Sequence, residues 1–405
     1  MKDLKIFTDN IDYTAISQIN NLVEQVAFDG CKIRIMPDVH AGAGCVIGFT
    51  GNLGDKVIPN IVGVDIGCGM KVLELDNKTI DYAVLNEIIR KYIPYGQEVH
   101  KTIGVRFPEM ETMVCYKELR NFPRFSLGIG SLGSGNHFIE VDKDEDGKLY
   151  LVIHSGSRNL GKQVADIYQD KANQICNFRH NELDAAKTKL ISDYKAAGNT
   201  IQIRAGLKKL DKDFAQSQHT IPKEFSYLTG KDREDYLYDM NICQKYAVLN
   251  RQTMADIIIK RYNDVVSDDA KLKVLSSYET IHNYISFEDN IIRKGAISAK
   301  LGEKVIIPMN MRDGSLICIG KGNDEWNQSA PHGAGRVMSR NQAKESLDMD
   351  TYRNDMKDIW TSSVNENTID EAPEVYKPME EIIKNIEPTA TVINIIKPVF
   401  NFKAD

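Results

Sequence analysis

The chain has 405 residues, a net charge of −6 and the composition of an ordinary globular protein, which allows one large domain or two smaller ones. The acidic balance excludes a generally basic nucleic-acid coat, so a nucleic-acid partner would need a local basic groove. The N-terminus is polar and the chain has no apolar run of about 18 residues, which predicts neither a signal peptide nor a membrane span.

The first part of the chain, residues 1–160, is predicted to consist of short strands joined by glycine-rich turns. The strands are predicted at KIRIM, MKVLEL and KLYLVI, where β-branched and aliphatic residues cluster. A helix is predicted near 81–92 from its apolar periodicity. Seven scattered cysteines with no CxxC pair predict free thiols in a reducing cytoplasm.

The middle of the chain changes character. Residues 162–217 are charged and helix-like in periodicity, and a helical pattern continues over 234–262. Strands return after residue 290 at KVIIPM, SLICIG and TVINIIKPVF. Because no Pro-, Gly- or Ser-rich linker divides the chain, we expect a single α/β domain over 1–405 with a mainly helical insertion at 162–262.

Three common motifs are matched without their required context. GIGSLG (128–133) fits GxGxxG but precedes a predicted strand, where dinucleotide binding needs a helix. GSRNLGKQ (156–163) fits GxxxxGK but lacks the hydroxyl residue that holds magnesium, so a strand-to-helix turn is expected. DKDEDG (142–147) begins like a calcium loop but lacks its final glutamate, which favours a hairpin turn.

Asp65 and Cys68 stand three residues apart in GVDIGCGM (63–70), among three glycines. Deprotonated aspartate and cysteine are both metal ligands, and glycine lets the backbone approach a ligand closely. Taken alone, the stretch fits a buried turn with a structural cysteine equally well.

Four of the eight histidines lie beside Gly, Ser or Asn at predicted strand ends or turns. The others, His40 among them, stand in polar or helical surroundings or near element ends. The four are His137 in GNHFIE, His154 in VIHSGSR, His282 in IHNYIS and His332 in PHGAGR. Combined with Asp65 and Cys68 they form a mixed ligand set suited to Zn, Mn, Fe or Co. Two such ions would suit phosphoryl or nucleotidyl transfer, and arginines near the same histidines favour a phosphate-rich substrate.

The motifs together resemble those of the RtcB family of RNA ligases, in order and over nearly the whole chain from residue 36 to 378, and Lys403 also fits. They are MPDVHAGAG, GVDIGCGM, GSLGSGNHFIE, HSGSRNLG, RKGA, HGAGRVMSR and DEAPEVYKP. The resemblance implies an α/β fold with mixed sheets around a central metal cleft. It also implies GTP- and Mn(II)-dependent joining of RNA 3′-phosphate or 2′,3′-cyclic phosphate ends to 5′-hydroxyl ends, in RNA repair or tRNA splicing.

The resemblance also implies roles for individual residues. Cys68 would bridge two manganese ions, with His154 and His282 completing one site and Asp65 and His137 the other. His332 would be the nucleophile that takes GMP, and Asp38 would orient a metal ligand. The implied GTP contacts are Asn136, Phe138, Glu140, Asn310, Ser315, Ala334, Gly335, Tyr376 and Lys403, and the implied RNA or phosphate contacts are Arg158, Lys294 and Arg340. The expected partners are RNA and an archease-type activator, without a membrane and with a monomeric chain.

The chain departs from the family pattern at IIPMNMRDGS, where Met309 and Asn310 replace a usual Gly and Ser. Two other functions remain open on the residues alone. A binuclear metal phosphoesterase would use the same ligands for hydrolysis without GTP. An RNA-end-binding factor without catalysis would keep the cleft and lose the reaction. A lysine-dependent ligase is disfavoured because KxDG is absent.

Overall fold

The structure is a computed structural model that describes residues 3–177, 180–217 and 221–404. The described helices are α1 (Tyr13–Glu24), α2 (Pro59–Val62), α3 (Tyr82–Tyr92), α4 (Phe122–Gly128), α5 (Arg158–Asn177), α6 (His180–Ala196), α7 (Ile203–Ser217), α8 (Gly230–Asn263), α9 (Arg340–Ser346), α10 (Met349–Asp355) and α11 (Met379–Ile386). The described strands are β1 (Asp3–Ile6), β2 (Lys32–His40), β3 (Ile47–Gly51), β4 (Lys56–Val57), β5 (Gly69–Leu75), β6 (Phe138–Lys143), β7 (Leu149–Ser155), β8 (Leu228–Thr229), β9 (Val274–Ile281), β10 (Asn283–Ile285), β11 (Ile292–Lys294), β12 (Ala296–Ser298), β13 (Lys304–Asn310), β14 (Gly314–Gly320), β15 (Ser329–Pro331), β16 (Trp360–Thr361) and β17 (Ala390–Lys403).

The largest sheet runs in the order β13-β14-β17-β6-β7-β5-β9, with β16 paired beside β17. Its two end strands approach each other, since the backbone N–H of Ile306 donates to the hydroxyl of Thr280 over 3.2 Å. The sheet therefore curls around an apolar interior that includes Val72, Val152 and Ile317. A second sheet has the order β1-β2-β3-β11-β10, and the pairs β12-β15 and β4-β8 complete the strand pairings.

Four neighbouring strands of the large sheet bring their ends to one edge. The strands β6, β7, β5 and β9 pair antiparallel, with Phe138 opposite His154 and Gly69 opposite both Ser155 and Ile281. In antiparallel pairs the start of one strand lies beside the end of the next. Residues just before β6 and β5, at the end of β7 and just after β9 therefore meet.

The 34-residue helix α8 packs against α3, α5 and β7, and its buried side chains join two apolar clusters. Among them are two polar residues, Asn250 and Arg251, which are fully buried. Asn250 accepts hydrogen bonds from the backbone N–H groups of Gly130 and Ser131. Arg251 donates to the carbonyls of Gly67 and Ser155, over 2.9 and 2.8 Å. The helix therefore holds the loops that reach the strand-end edge.

The expected α/β class with mixed sheets is confirmed, and strands occur at all six predicted apolar stretches. The three common motifs that lack their required context have the local structures predicted for them. GIGSLG lies in a loop before β6, GSRNLGKQ in a turn from β7 into α5, and DKDEDG in the β6–β7 hairpin. Helices occupy most of 162–262, of which 178–179 and 218–220 lie outside the described residues. We propose that these helices form an insertion within one domain over 1–405.

Candidate metal centre and nucleotide cavity

Five predicted ligand atoms form a continuous chain at the strand-end edge. The Oδ2 atom of Asp65 lies 3.1 Å from Nε2 of His137, which lies 3.4 Å from Sγ of Cys68. The same sulfur lies 3.4 Å from Nε2 of His154, and that nitrogen lies 3.1 Å from Nε2 of His282. Cys68 therefore stands between an Asp–His pair and a His–His pair.

The close contacts among these five ligand atoms outnumber the protons that could form hydrogen bonds between them. The Nδ1–H groups of His137 and His154 donate to the carbonyls of Leu132 and Asn136, over 2.8 and 3.2 Å, which turns each Nε2 lone pair toward Cys68. Burial lowers the pKa of both His154 and His282 well below the ordinary value, so these rings are neutral. A chain of carboxylate, thiol and imidazole lone pairs with few protons matches the donor set of a divalent metal site.

Cys68 is a protonated thiol when no cation is bound. Burial raises the pKa of this thiol well above its ordinary value, and the negative charge of Asp65 raises it further. Binding of a divalent ion would displace that proton, because the thiolate is the form that ligates metals. We therefore expect metal uptake at Cys68 to release a proton.

His332 lies beside the cluster and contacts Asp38 directly. Its Nδ1 is 2.6 Å from Oδ2 of Asp38, and the same oxygen accepts the backbone N–H of His332 over 3.1 Å. The His332 and His282 ring centroids are 4.7 Å apart. Asp38 is predicted to orient a metal ligand, and in the structure its carboxylate holds the backbone and ring of His332. Within the described part of the chain, no residue forms a hydrogen bond with Nε2 of that ring. The backbone of Asp38 lies so close to residue 335 that this position requires glycine, since a Cβ on Gly335 would stand 2.2 Å from the carbonyl oxygen of Asp38.

A cavity of about 650 Å³ opens beside His332 and His154. Its walls contain most of the predicted nucleotide contacts together with one predicted RNA contact. These are Asn136, Phe138, Glu140, Asn310, Ala334, Gly335, Tyr376, Lys403 and Arg340. The metal cluster and the predicted nucleotide-binding residues therefore share one cleft, although they come from distant parts of the chain.

Glu140 stands in the buried wall of the cavity and is 3 % exposed. Its Oε1 accepts the amide N–H of Asn401 over 2.7 Å. Burial raises the pKa of Glu140 to about 7, although the Asn401 hydrogen bond and the charge of Lys403 oppose the shift. The carboxylate therefore keeps acceptor capacity for a ligand and changes its charge near neutral pH.

Glu371 is a cavity residue that the sequence analysis did not select. Its Oε2 accepts from the ammonium of Lys403 and the hydroxyl of Tyr376, over 2.6 and 2.7 Å, and its Oε1 accepts from Arg340 over 2.8 Å. Burial alone would raise the pKa of Glu371, but these cations lower it to about 2. In the sequence, Glu371 is marked only by its place in DEAPEVYKP, next to Asp370 and three residues before Glu374.

Two further residues were missed. His40 lines the cavity, and burial lowers the pKa of this imidazole to about 4. Asn250 holds the hydroxyl of Ser155 and the carbonyl of Gly156 near the cluster, each over 3.1 Å. A polar Asn-Arg pair within a buried helical stretch was the sequence signal for Asn250, and the MPDVH motif contained His40.

Three predicted contacts are not among the described residues that line the cavity. Ser315 is fully buried on β14. Lys294 is also buried and donates to the carbonyls of Ala43 and Asn60, over 2.8 and 3.1 Å. Arg158 donates to Ser131 and to the carbonyl of Gly96.

Asn310 reaches the cavity wall, but its side chain is engaged by its own turn. Its Oδ1 accepts the backbone N–H groups of Arg312 and Asp313, over 2.9 and 2.8 Å, and its amide donates to the Asp313 carboxylate. A side chain held this way has little hydrogen-bonding capacity left for a ligand. The departure at IIPMNMRDGS therefore builds a self-contained turn.

The chain matches the family model described as "tRNA-splicing ligase RtcB" over residues 18–122 and 116–404. The RNA-splicing ligase RtcB1 of Escherichia coli strain ATCC 25922 is 29% identical over 402 residues, covering 91% of this chain and 88% of the relative. The RNA-splicing ligase RtcB of Escherichia coli K12 is 28% identical with the same coverage. The tRNA-splicing ligase RtcB of Nanoarchaeum equitans is 26% identical over 440 residues, covering 86% of this chain and 83% of the relative.

Proposed function

Because the chain belongs to the RtcB family, we propose that it is an RNA ligase that uses GTP and two manganese ions. It joins RNA 3′-phosphate or 2′,3′-cyclic phosphate ends to 5′-hydroxyl ends through a GMP adduct of His332. The observation that carries this proposal is the position of His332. The ring stands 4.7 Å from His282 of the ligand cluster, lines the nucleotide cavity, and has Nδ1 fixed by Asp38.

In the first step, Nε2 of His332 attacks the α-phosphorus of GTP. A P–N bond forms and the bond from that phosphorus to the leaving pyrophosphate breaks. The ring becomes cationic as it gives up its lone pair, and the Asp38 carboxylate beside Nδ1 stabilises that charge. Asp38 thereby acts on the nucleophile through both orientation and charge.

The ligand cluster fits two divalent ions. Asp65 and His137 would hold one, His154 and His282 the other, and Cys68 would contribute its sulfur to both. Bound manganese would neutralise charge that develops on the phosphates. Since zinc generally binds such ligands more tightly than manganese, the supply of metal in the cell decides which ion is present.

In the next steps, the GMP moves from His332 to an oxygen of the RNA 3′-phosphate, with the P–N bond breaking as the new P–O bond forms. The 5′-hydroxyl of the second RNA then attacks the 3′-phosphorus, and GMP leaves. A cyclic end is first hydrolysed, so that one water breaks the P–O2′ bond and leaves a 3′-phosphate. Arg340 stands at the cavity with its side chain 46% exposed and paired with Asp370 and Glu371. Its remaining N–H groups can bind an RNA phosphate.

Guanine selection is assigned to Glu140. Guanine presents N1–H and N2–H donors that an ionised carboxylate accepts, whereas adenine has no such pair on that edge. Leaving the buried carboxylate unpaired would disfavour ATP by about 1–3 kcal/mol. The adjacent Phe138 ring, 5.3 Å from the ring of His154, lies in the same wall and offers apolar contact to the nucleotide.

The remaining parts of the proposal concern setting and partners. All seven cysteines carry free thiols, which suits the reducing cytoplasm in which we place the reaction. Among the described helices none is long and apolar enough to span a bilayer. We propose that the chain acts as a monomer on RNA, with an archease-type activator assisting the guanylylation of His332.

A ligation assay tests the proposed function. One RNA carries a labelled 3′-phosphate and the other a 5′-hydroxyl, and both are incubated with the protein, GTP and MnCl₂. We expect a joined RNA whose label has become resistant to phosphatase, and no product with ATP in place of GTP. Release of the label as inorganic phosphate without joining would instead establish a phosphoesterase.

A further inference from the structure

Asp142 is a buried carboxyl group that the proposed reaction does not use. It lies on β6 two positions after Glu140 and is 0% exposed. Neither of its carboxyl oxygens has a hydrogen-bond partner among the described residues. Buried carboxylates are almost always paired or hydrogen-bonded, so this group is unusual within the fold.

Other unpaired polar atoms belong to the same interior face of the large sheet. Across the strand pairings, Asn401 is opposite Glu140, and Ser315 is opposite Ile396 of the apolar interior. Oδ1 of Asn401, the hydroxyl of Ser315 and the hydroxyl of Tyr278 are each buried without a partner among the described residues. We call these three atoms and the Asp142 carboxyl the inner polar cluster. Polar atoms in such surroundings are commonly bridged by ordered water.

The charge balance around this cluster favours a neutral Asp142. Glu140 has the Asn401 amide and the nearby charge of Lys403, whereas no described residue supplies Asp142 with such a partner. Burial raises the pKa of Asp142 well above its ordinary value, and the charge of Glu140 raises it further. The other titratable groups around the interior are Tyr150, Tyr278 and Cys318, with the Glu74 carboxylate near Tyr278. The ammonium groups of Lys148 and Lys304 lie over the rings of Tyr150 and Tyr278, and both pair with Glu74. Two adjacent buried carboxyls with one set of partners cannot both ionise cheaply.

We propose that Asp142 is a positioning residue for guanine recognition: it remains a protonated acid that donates, through a bridging water, to Glu140 and holds that carboxylate ready to accept from guanine. The inference deepens the proposed function, because it assigns Glu140 the role of guanine acceptor. Of the two acids, Asp142 carries the proton, and Glu140, which lines the nucleotide cavity, carries the charge. Asp142 itself does not contact the substrate.

The first test separates charge from hydrogen bonding by substitution. Asp142→Asn keeps a neutral hydrogen-bonding group of the same shape, and Asp142→Leu removes it. Followed by mass spectrometry of His332 guanylylation, Asp142→Asn should keep the KM for GTP within about threefold, and Asp142→Leu should raise it about tenfold with kcat retained. Equal KM values of Asp142→Asn and Asp142→Leu for GTP would overturn the proposal.

The second test needs no nucleotide. The infrared spectrum of the wild-type protein is recorded at about pH 8, where Glu140 is mostly ionised because its pKa is about 7. It should contain a carboxylic-acid carbonyl band that disappears in Asp142→Asn and persists in the matched variant Glu140→Gln. Absence of that band from the wild type would show an ionised Asp142 and sink the proposal, even if Asp142→Leu failed to fold. A band without any guanylylation would instead mean that the acid pair exists and the proposed ligase function fails.

Discussion

The carboxylate of Asp38 lies 2.6 Å from Nδ1 of His332, and Asp38 is 0% exposed while the imidazole faces the cavity. A buried carboxylate behind an imidazole fixes the tautomer, so the lone pair of Nε2 points away from Asp38. The same oxygen also accepts the backbone N–H of His332, which fixes the start of the HGAGR turn. One side chain therefore fixes both the position and the tautomer of His332.

Asp38→Asn should slow guanylylation of His332 by roughly 100-fold or more, because the amide removes the charge that stabilises the cationic ring. The rate is measured as the growth of the GMP adduct by intact mass spectrometry. Bound manganese should be unchanged, because Asp38 contacts His332 and none of the five cluster residues. An unchanged rate in Asp38→Asn would show that the pair has no part in the reaction.

The position of Cys68 predicts an unequal response of the metal content to substitution. Cys68→Ala should remove both manganese ions, whereas His282→Ala should remove one, because the sulfur stands between two ligand pairs and His282 belongs to one of them. Metal analysis of purified protein after manganese loading gives the stoichiometry. Cys318→Ala, in which a buried thiol far from the cluster is removed, serves as the matched control and should keep both ions.

The raised pKa of Glu140 predicts a pH dependence of GTP use. Its carboxylate accepts from guanine only when ionised, and the pKa in the free protein is about 7. The KM for GTP should therefore rise as the pH falls below about 7, by roughly tenfold per pH unit in the limit. Glu140→Gln should give a higher KM for GTP that does not change with pH over the same range. A flat profile in the wild type would rule out Glu140 as the guanine acceptor.

Glu371 is predicted to stabilise the fold through the cations of Lys403 and Arg340 that pair with its buried carboxylate. Its folded pKa of about 2 lies below the ordinary value of 4.5, so its contribution is complete above 4.5 and is lost as the pH falls toward 2. Glu371→Gln should therefore be less stable than wild type at neutral pH by about 3 kcal/mol. Urea unfolding should show this gap shrinking below pH 4.5. The exposed Glu374→Gln is the control, and an equal loss there would contradict the assignment.

Much of the site was predictable because its ligands occupy short motifs with characteristic small neighbours. Cys68 and His154 lie next to glycine or serine where strands meet an edge, and these patterns are visible without the fold. The antiparallel register that brings Gly69 opposite Ser155 and Ile281 is a long-range property. No local sequence pattern encodes this register, so only the resemblance to the RtcB family predicts that the ligands meet.

The residues that were missed act through distant partners. Glu371 is recognisable only once Lys403 from the last strand and Arg340 from another loop are beside it. Lys294 carries a charge that suggested RNA contact, yet two backbone carbonyls hold it in the interior. Charge is read from the sequence, but burial and pairing are set by tertiary packing.

In the proposed reaction, His332 becomes covalently guanylylated. The most direct measurement is the intact mass of the protein after incubation with GTP and MnCl₂, with and without an archease, for wild type and His332→Ala. We expect a gain of one GMP in the wild type and none in His332→Ala. A manganese-loaded wild-type protein that gains no mass, even with the archease present, would contradict guanylylation of His332.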